Sequence, residues 1–112
     1  MNHSEHLSKQ YDSDLEEVRS RVLQMGGLVE AQILAAIDCF TTGDHDKVSQ
    51  VEEAEFRVNA YEVEIDDMCV HVVAKRQPAA RDLRLIMGVS KAVTDLERMG
   101  DEAEKIARMA RQ

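Results

Sequence analysis

The chain has 112 residues, which is enough for one domain with its own core and too few for two. Its apolar fraction of 44%, its single Pro and its five Gly argue against disorder and against many short strands joined by turns, and they favour long helices. The net charge of −8 argues against direct nucleic-acid binding, because an acidic surface repels the phosphate backbone.

The first predicted element is a long helix with an apolar stripe of alternating four- and three-residue spacing, a heptad-like rhythm that suits packing against near-parallel helices. The stripe consists of Tyr11, Leu15, Val18, Val22, Met25, Val29, Ile33, Ala36 or Ile37, and Phe40. Residues 1–10 are polar, and we expect them to form a flexible terminus without a signal peptide. Gly43 is suited to a helix C-cap, and Asp44 or Asp46 can cap the start of the next helix.

Two more helices follow. The second stripe consists of Val51, Ala54, Val58, Tyr61, Ile65, Met68 and Val72. The second helix ends at Gln77, because Pro78 pushes the preceding residue out of the helical region. The third stripe consists of Leu85, Val89, Ala92, Leu96, Met99, Ala103, Ile106 and Ala110. Short connections make consecutive helices antiparallel, so the sequence predicts an all-α protein, an antiparallel three-helix bundle over residues 11–112.

No stretch approaches the roughly 20 apolar residues that a membrane span needs. We therefore expect a soluble, cytoplasmic protein that reaches a membrane only indirectly, through its partners. Cys39 and Cys69 form no ligand pair, and we expect both to be small buried side chains in a reducing compartment.

The sequence shows no signature of catalysis. It contains no GxGxxG, P-loop, HExxH or nucleophile elbow, and its four histidines are scattered. The Glu-x-x-His pairs of a di-iron bundle are also missing. We therefore predict a non-enzymatic protein with no catalytic residue and no organic cofactor.

Acidic residues are spaced so that they line up on two of the predicted helices. The second helix carries a polar line beside its apolar stripe, formed by Glu52, Glu55, Asn59, Glu62 and Asp66. On the third helix, Glu97 and Asp101 are four residues apart and Glu104 follows. A divalent or ferric ion would relieve the repulsion between these carboxylates, and antiparallel packing could bring both helices to one ion. The candidate metal ligands are Glu55, Asn59, Glu62, Glu97 and Asp101; alternatively, these acids form ordinary surface pairs with Arg57, Arg98 and Lys105.

Residues 75–106 read KRQPAARDLRLIMGVSKAVTDLERMGDEAEKI. The elements QPxAxDLR and DLERxGDxAxKI, with MGGLVE at residues 25–30 and VNAYEVEID at residues 58–66, resemble the N-terminal repeat of the PhoU family, most closely its proteobacterial branch. The resemblance implies a cytoplasmic regulator built of two similar three-helix bundles, often a homodimer. It also implies two partners, the ATPase of the phosphate importer and the sensor histidine kinase of the phosphate regulon, which is kept inactive when phosphate is plentiful.

The resemblance bears on the candidate metal site as well. Members of the family carry E(D)xxxD motifs that can hold metal ions; Glu97 and Asp101 match this motif, whereas Glu55 is followed by Asn59 in place of the second acid. The family has two repeats and this chain contains one, so we expect truncation before a second repeat.

Three hypotheses follow. The first is a negative regulator of phosphate uptake that acts as an adaptor between the transporter ATPase and the sensor kinase. The second is a carboxylate-bridged metal-binding helical protein with an enzymatic or metal-storage role. The third is a structural bundle that oligomerises through exposed apolar edges.

Overall fold

Three helices account for nearly all of the described part of the chain. The computed structural model describes the backbone of residues 3–110 and the side chains of residues 9–110. It contains α1 (His3–Thr42), α2 (Asp46–Arg76) and α3 (Ala80–Ala110), and each helix packs against both of the others. The bundle is elongated, with extents of 62 × 21 × 16 Å, and residues 3–110 contain no strand. The predicted all-α three-helix bundle is confirmed.

The first helix starts earlier than the sequence suggested, at His3 rather than near Tyr11. Most of residues 1–10, expected to be a flexible terminus, are therefore helical in the structure. The physical reason is that no Pro or Gly interrupts residues 3–10, and an existing helix extends at little cost once it is nucleated. Residues 1 and 2 lie outside the described residues.

The helices end where the breakers predicted. Gly43 takes a left-handed φ of 73°, and its N–H donates to the Cys39 carbonyl at 3.0 Å, which is the expected C-cap. Asp44, one of the two predicted caps, accepts a hydrogen bond from the Asp46 N–H at the start of α2. Gln77 is also left-handed, with φ 47°, directly before Pro78.

The core follows a strict seven-residue repeat, which we call the core seam. Each helix contributes one line of buried residues at this spacing: Val18, Met25, Gln32 and Cys39 on α1; Val51, Val58, Ile65 and Val72 on α2; Ile86, Val93, Gly100 and Ala107 on α3. Shorter second lines add Val29 and Ala36 on α1 and Val48, Glu55 and Cys69 on α2, and Ala103 of α3 is also buried. Such a repeat keeps one face of each helix turned toward its neighbours.

The predicted stripes were right for α2 and partly wrong elsewhere. On α1, Ala36 rather than Ile37 is buried, and Cys39 is buried while Phe40 is 60% exposed. On α3 the buried line lies largely one residue away from the predicted stripe, so that Leu85, Met99 and Ile106 are exposed. The reason is steric, because the C-terminal half of α3 turns its small residues Gly100, Ala103 and Ala107 toward the core and leaves Met99 and Ile106 exposed.

One helical segment among the described residues, Lys9–Thr42, is long and apolar enough to cross a membrane, contrary to the expectation that no stretch would be. This is weak evidence for a span. The segment supplies Val18, Met25 and Val29 to the bundle core, and the core helix of a soluble protein passes the same test of length and composition.

Candidate metal centre

Three carboxylates from two helices meet at one point of the α2–α3 surface. Glu55 comes from α2, and Glu97 and Asp101 come from successive turns of α3. One oxygen of each lies within 4.8 Å of the others. Antiparallel packing of α2 and α3 sets Glu55 opposite the i, i+4 pair, as the spacing predicted. Hard cations prefer carboxylate oxygens, so this arrangement could hold one.

The three carboxylates open into a groove of about 280 Å³ between the two helices. Its lining is mostly acidic and consists of Glu52, Glu55, Phe56, Asn59, Glu97, Asp101, Glu104 and Arg108. Four of the five predicted metal ligands are therefore at this groove. The fifth, Glu62, is not among the lining residues. Burial raises the pKa of Glu62, and the charges of Glu97 and Asp66 raise it further.

Basic side chains neutralise the edge of this site. Lys105 lies 3.6 Å from Asp101, and Arg108 lies 2.9 Å from Glu104. Among the described side chains, no ion pair within 4.0 Å involves Glu55 or Glu97. Asp101 therefore forms one of the ordinary surface ion pairs expected as the alternative to metal binding, whereas Glu55 does not.

Glu55 is unusual because it is 6% exposed, although its neighbours in the site are partly open to solvent. It is held by Gln32 of α1, whose Nε2 donates to Glu55 Oε2 at 2.8 Å. Burial raises the pKa of Glu55; the hydrogen bond from Gln32 opposes that rise, while the charges of Glu104, Glu97 and Asp101 add to it. A bound cation would stabilise the charged form at this position.

Gly100 makes room for this contact. A Cβ on Gly100 would lie 2.8 Å from Gln32 Oε1, 3.0 Å from Glu55 Oε2 and 3.4 Å from Val58 Cγ1. The absence of a side chain therefore lets an amide from α1 and a carboxylate from α2 meet beside α3. Gln32, Glu55 and Gly100 together form what we call the polar layer of the core. Side chains of α1 and α2 therefore approach α3 closely at this glycine.

Sequence reasoning missed Gln32. A signal for it exists, since the line Val18, Met25, Gln32, Cys39 has a seven-residue spacing and only one strongly polar member. Glu104 had been placed on the acidic line without being chosen as a candidate ligand, and the structure places it in the groove. The groove is lined mainly by carboxylate side chains, with the Asn59 amide beside them, and such oxygen atoms suit cation binding.

Comparison with known proteins shows close similarity over nearly the whole chain. Residues 22–110 match the PhoU domain. The chain is 52% identical over 105 residues to the phosphate-specific transport system accessory protein PhoU homolog of Pseudomonas putida, covering 94% of this chain and 41% of that protein. It is 46% identical over 110 residues to the phosphate-specific transport system accessory protein PhoU of Escherichia coli (strain K12), covering 98% of this chain and 46% of that protein.

A solved structure agrees with this similarity. The crystal structure of PhoU from Pseudomonas aeruginosa matches with a TM-score of 0.87 at 50% sequence identity, covering 89% of this chain and 48% of that one. The chain thus spans less than half the length of these relatives.

Proposed function

Because the chain belongs to the PhoU family, we propose that it serves phosphate transport as a regulatory bundle of the phosphate-specific transport system rather than as an enzyme. The observation that carries the proposal is identity of 46–52% to proteins named as accessory to that system, over more than nine-tenths of this chain.

The proposed mode of action is negative regulation by contact. The bundle works in the cytoplasm, in a homodimer, as an adaptor between the ATPase of the phosphate transporter and the sensor histidine kinase. The partner side of this proposal rests on the family resemblance. The physical support is the acidic surface, because a net charge of −8 favours association with basic surfaces of partner proteins.

A binding experiment tests the adaptor role. The chain, and a full-length relative in which this bundle replaces the corresponding one, are crosslinked to the purified ATPase and to the cytoplasmic part of the kinase. We expect capture of both partners, weakening as salt is raised, because exposed charges are screened. Failure of the full-length hybrid to capture either partner, while the unmodified relative captures both, would count against the proposal.

We also propose that the site formed by Glu55, Glu97 and Asp101 binds a divalent or ferric cation. Asn59 is a neutral neighbour of this site, and Glu62 is not one of the three ligands. The supporting observation is the approach of three carboxylate oxygens within 4.8 Å of one another, one of them on a buried residue. Without a cation their charges repel, and a cation would remove that repulsion.

Metal titration tests this second part. Mn²⁺ binding is measured for the wild type and for Glu97→Gln combined with Asp101→Asn, which should lose the site. The charge-matched control combines Glu53→Gln with Asp67→Asn, two exposed acids of α2, and should bind like the wild type. Equal loss in both double variants would show that only general surface charge attracts the ion.

A further inference from the structure

Gln32 is a polar side chain placed on the core seam of α1. It is 2% exposed, and its Nε2 donates both to the Val51 carbonyl at 3.2 Å and to Glu55 Oε2 at 2.8 Å. Its Oε1 is buried and has no hydrogen-bond partner within the described part of the chain. An unpartnered buried oxygen lowers stability, so a fully hydrogen-bonded polar network does not account for the presence of Gln32 in the core.

Packing alone does not explain Gln32 either. The neighbouring positions on the same line, Met25 and Cys39, are fully buried and carry no comparable polar group. A methionine at position 32 would supply similar length and volume without any orphaned oxygen. What the amide supplies and an apolar side chain cannot is a donor directed at one oxygen of Glu55.

That hydrogen bond constrains the carboxylate which reaches deepest into the site. Glu55 Oε2 accepts the hydrogen bond from the Gln32 amide beside Gly100, and an oxygen of the same carboxylate lies within 4.8 Å of oxygens of Glu97 and Asp101. Glu55 is thus held by a donor from a third helix, α1. The site therefore depends on α1 as well as on the two helices that bear its carboxylates.

We propose that Gln32 is a positioning residue for the cation site: its side-chain amide holds Glu55 in the orientation in which its carboxylate joins those of Glu97 and Asp101. The inference rests on the proposed cation binding. Groups that orient a metal ligand through a hydrogen bond commonly change metal affinity by about 10- to 100-fold when they are removed.

The test is a Mn²⁺ titration of the 112-residue chain, with free Mn²⁺ followed by its EPR signal. Gln32→Met replaces the amide donor with an apolar side chain of similar length; we expect its Mn²⁺ dissociation constant to rise about 10- to 100-fold. Val93→Ala is the control for stability, because Val93 is fully buried on the α3 line and offers no ligand atom. It should lower the unfolding free energy and leave the dissociation constant unchanged.

A second readout uses the wild-type protein, so it does not depend on whether Gln32→Met folds. Added Mg²⁺ should shift the NMR signals of the Gln32 side-chain amide, since the oxygen that it bonds to belongs to a cation ligand. The shift should saturate with the ion and vanish in the variant that combines Glu97→Gln with Asp101→Asn.

The possible outcomes distinguish the positioning role of Gln32 from the cation binding on which that role depends. If the wild type binds neither ion, the cation site itself is refuted, and the role of Gln32 is refuted with it. If the wild type binds Mn²⁺ but Gln32→Met binds equally well, or the amide signal stays in place on saturation, the site stands and the positioning role is overturned.

Discussion

The polar layer makes a sharp prediction for Gly100→Ala. In an exposed helix interior this change is stabilising by about 1 kcal/mol, because alanine has the better helix propensity. At Gly100 the new methyl group would stand 2.8 Å from Gln32 Oε1 and 3.0 Å from Glu55 Oε2, which is closer than a methyl group tolerates. One of the two side chains has to move.

The free-energy cost of this movement exceeds the stabilisation that alanine gives through its better helix propensity. Gln32 is anchored at Val51 as well as at Glu55, so its amide cannot retreat without giving up a buried hydrogen bond. A hydrogen bond to a charged group contributes about 1.5–3 kcal/mol, which leaves a net destabilisation of about 0.5–2 kcal/mol. For a domain near 100 residues this lowers Tm by several degrees, at roughly 4 °C or more for each kcal/mol.

Thermal and urea unfolding followed by circular dichroism at 222 nm measure the effect. Gly88→Ala is the matched control, since Gly88 lies in the same helix and a Cβ there meets no atom within 4 Å. We expect that control to gain up to about 1 kcal/mol. Equal stability of Gly100→Ala and Gly88→Ala would contradict this prediction, because the polar layer would then tolerate a methyl group.

Three further predictions concern other contacts. Glu55→Gln removes the charge of one of the three clustered carboxylates, and it should abolish the rise in Tm that Mn²⁺ gives the wild type. Arg76 Nε and Asp14 Oδ2 are 2.8 Å apart and mostly shielded from solvent, so a double-mutant cycle with alanine at both positions should give a coupling energy of about 1 kcal/mol. Cys39 and Cys69 are buried, which raises the pKa of both thiols; a thiol-specific reagent should react with them slowly in the native protein and rapidly in denaturant.

The helices could be predicted because their signals are local. Gly43 and Pro78 interrupt the chain at two points, and the apolar periodicity runs unbroken between them. The α2 stripe was placed correctly because its seam residues Val51, Val58 and Ile65 are large and apolar. Where the buried residues are also the most hydrophobic, periodicity identifies the face that packs.

The third helix shows why the same method misplaces a face. Its core line ends in Gly100 and Ala107, with Ala103 beside them, which are too small to stand out by hydrophobicity. Larger residues such as Met99 and Ile106 have the same spacing on a neighbouring face, so the sequence pattern predicted that face to be the buried one. Side-chain size in a core is decided by how closely two helices approach, and that distance is a tertiary property which a single helix does not encode.

The acidic site was predictable in part for a related reason. The i, i+4 spacing of Glu97 and Asp101 places both on one face of α3, and antiparallel packing brings Glu55 to them. The contribution of Gln32 could not be inferred from spacing on α2 and α3, because it depends on the register of a third helix. Only the interruption of an apolar seven-residue line pointed to it.

The polar layer also bears on how the bundle fixes its register. Seam residues repeat every seven positions, so a shift of α1 by one heptad would keep most apolar contacts and bring Met25 or Cys39 to the level of Glu55. Glu55 would then be buried without its donor, and Gln32 would face apolar side chains; buried polar groups without partners are costly. A single polar position in a seam is known to select register at some cost in stability. The residues that orient the candidate cation site therefore also penalise the shifted packing, so Gln32→Met should loosen register as well as metal affinity.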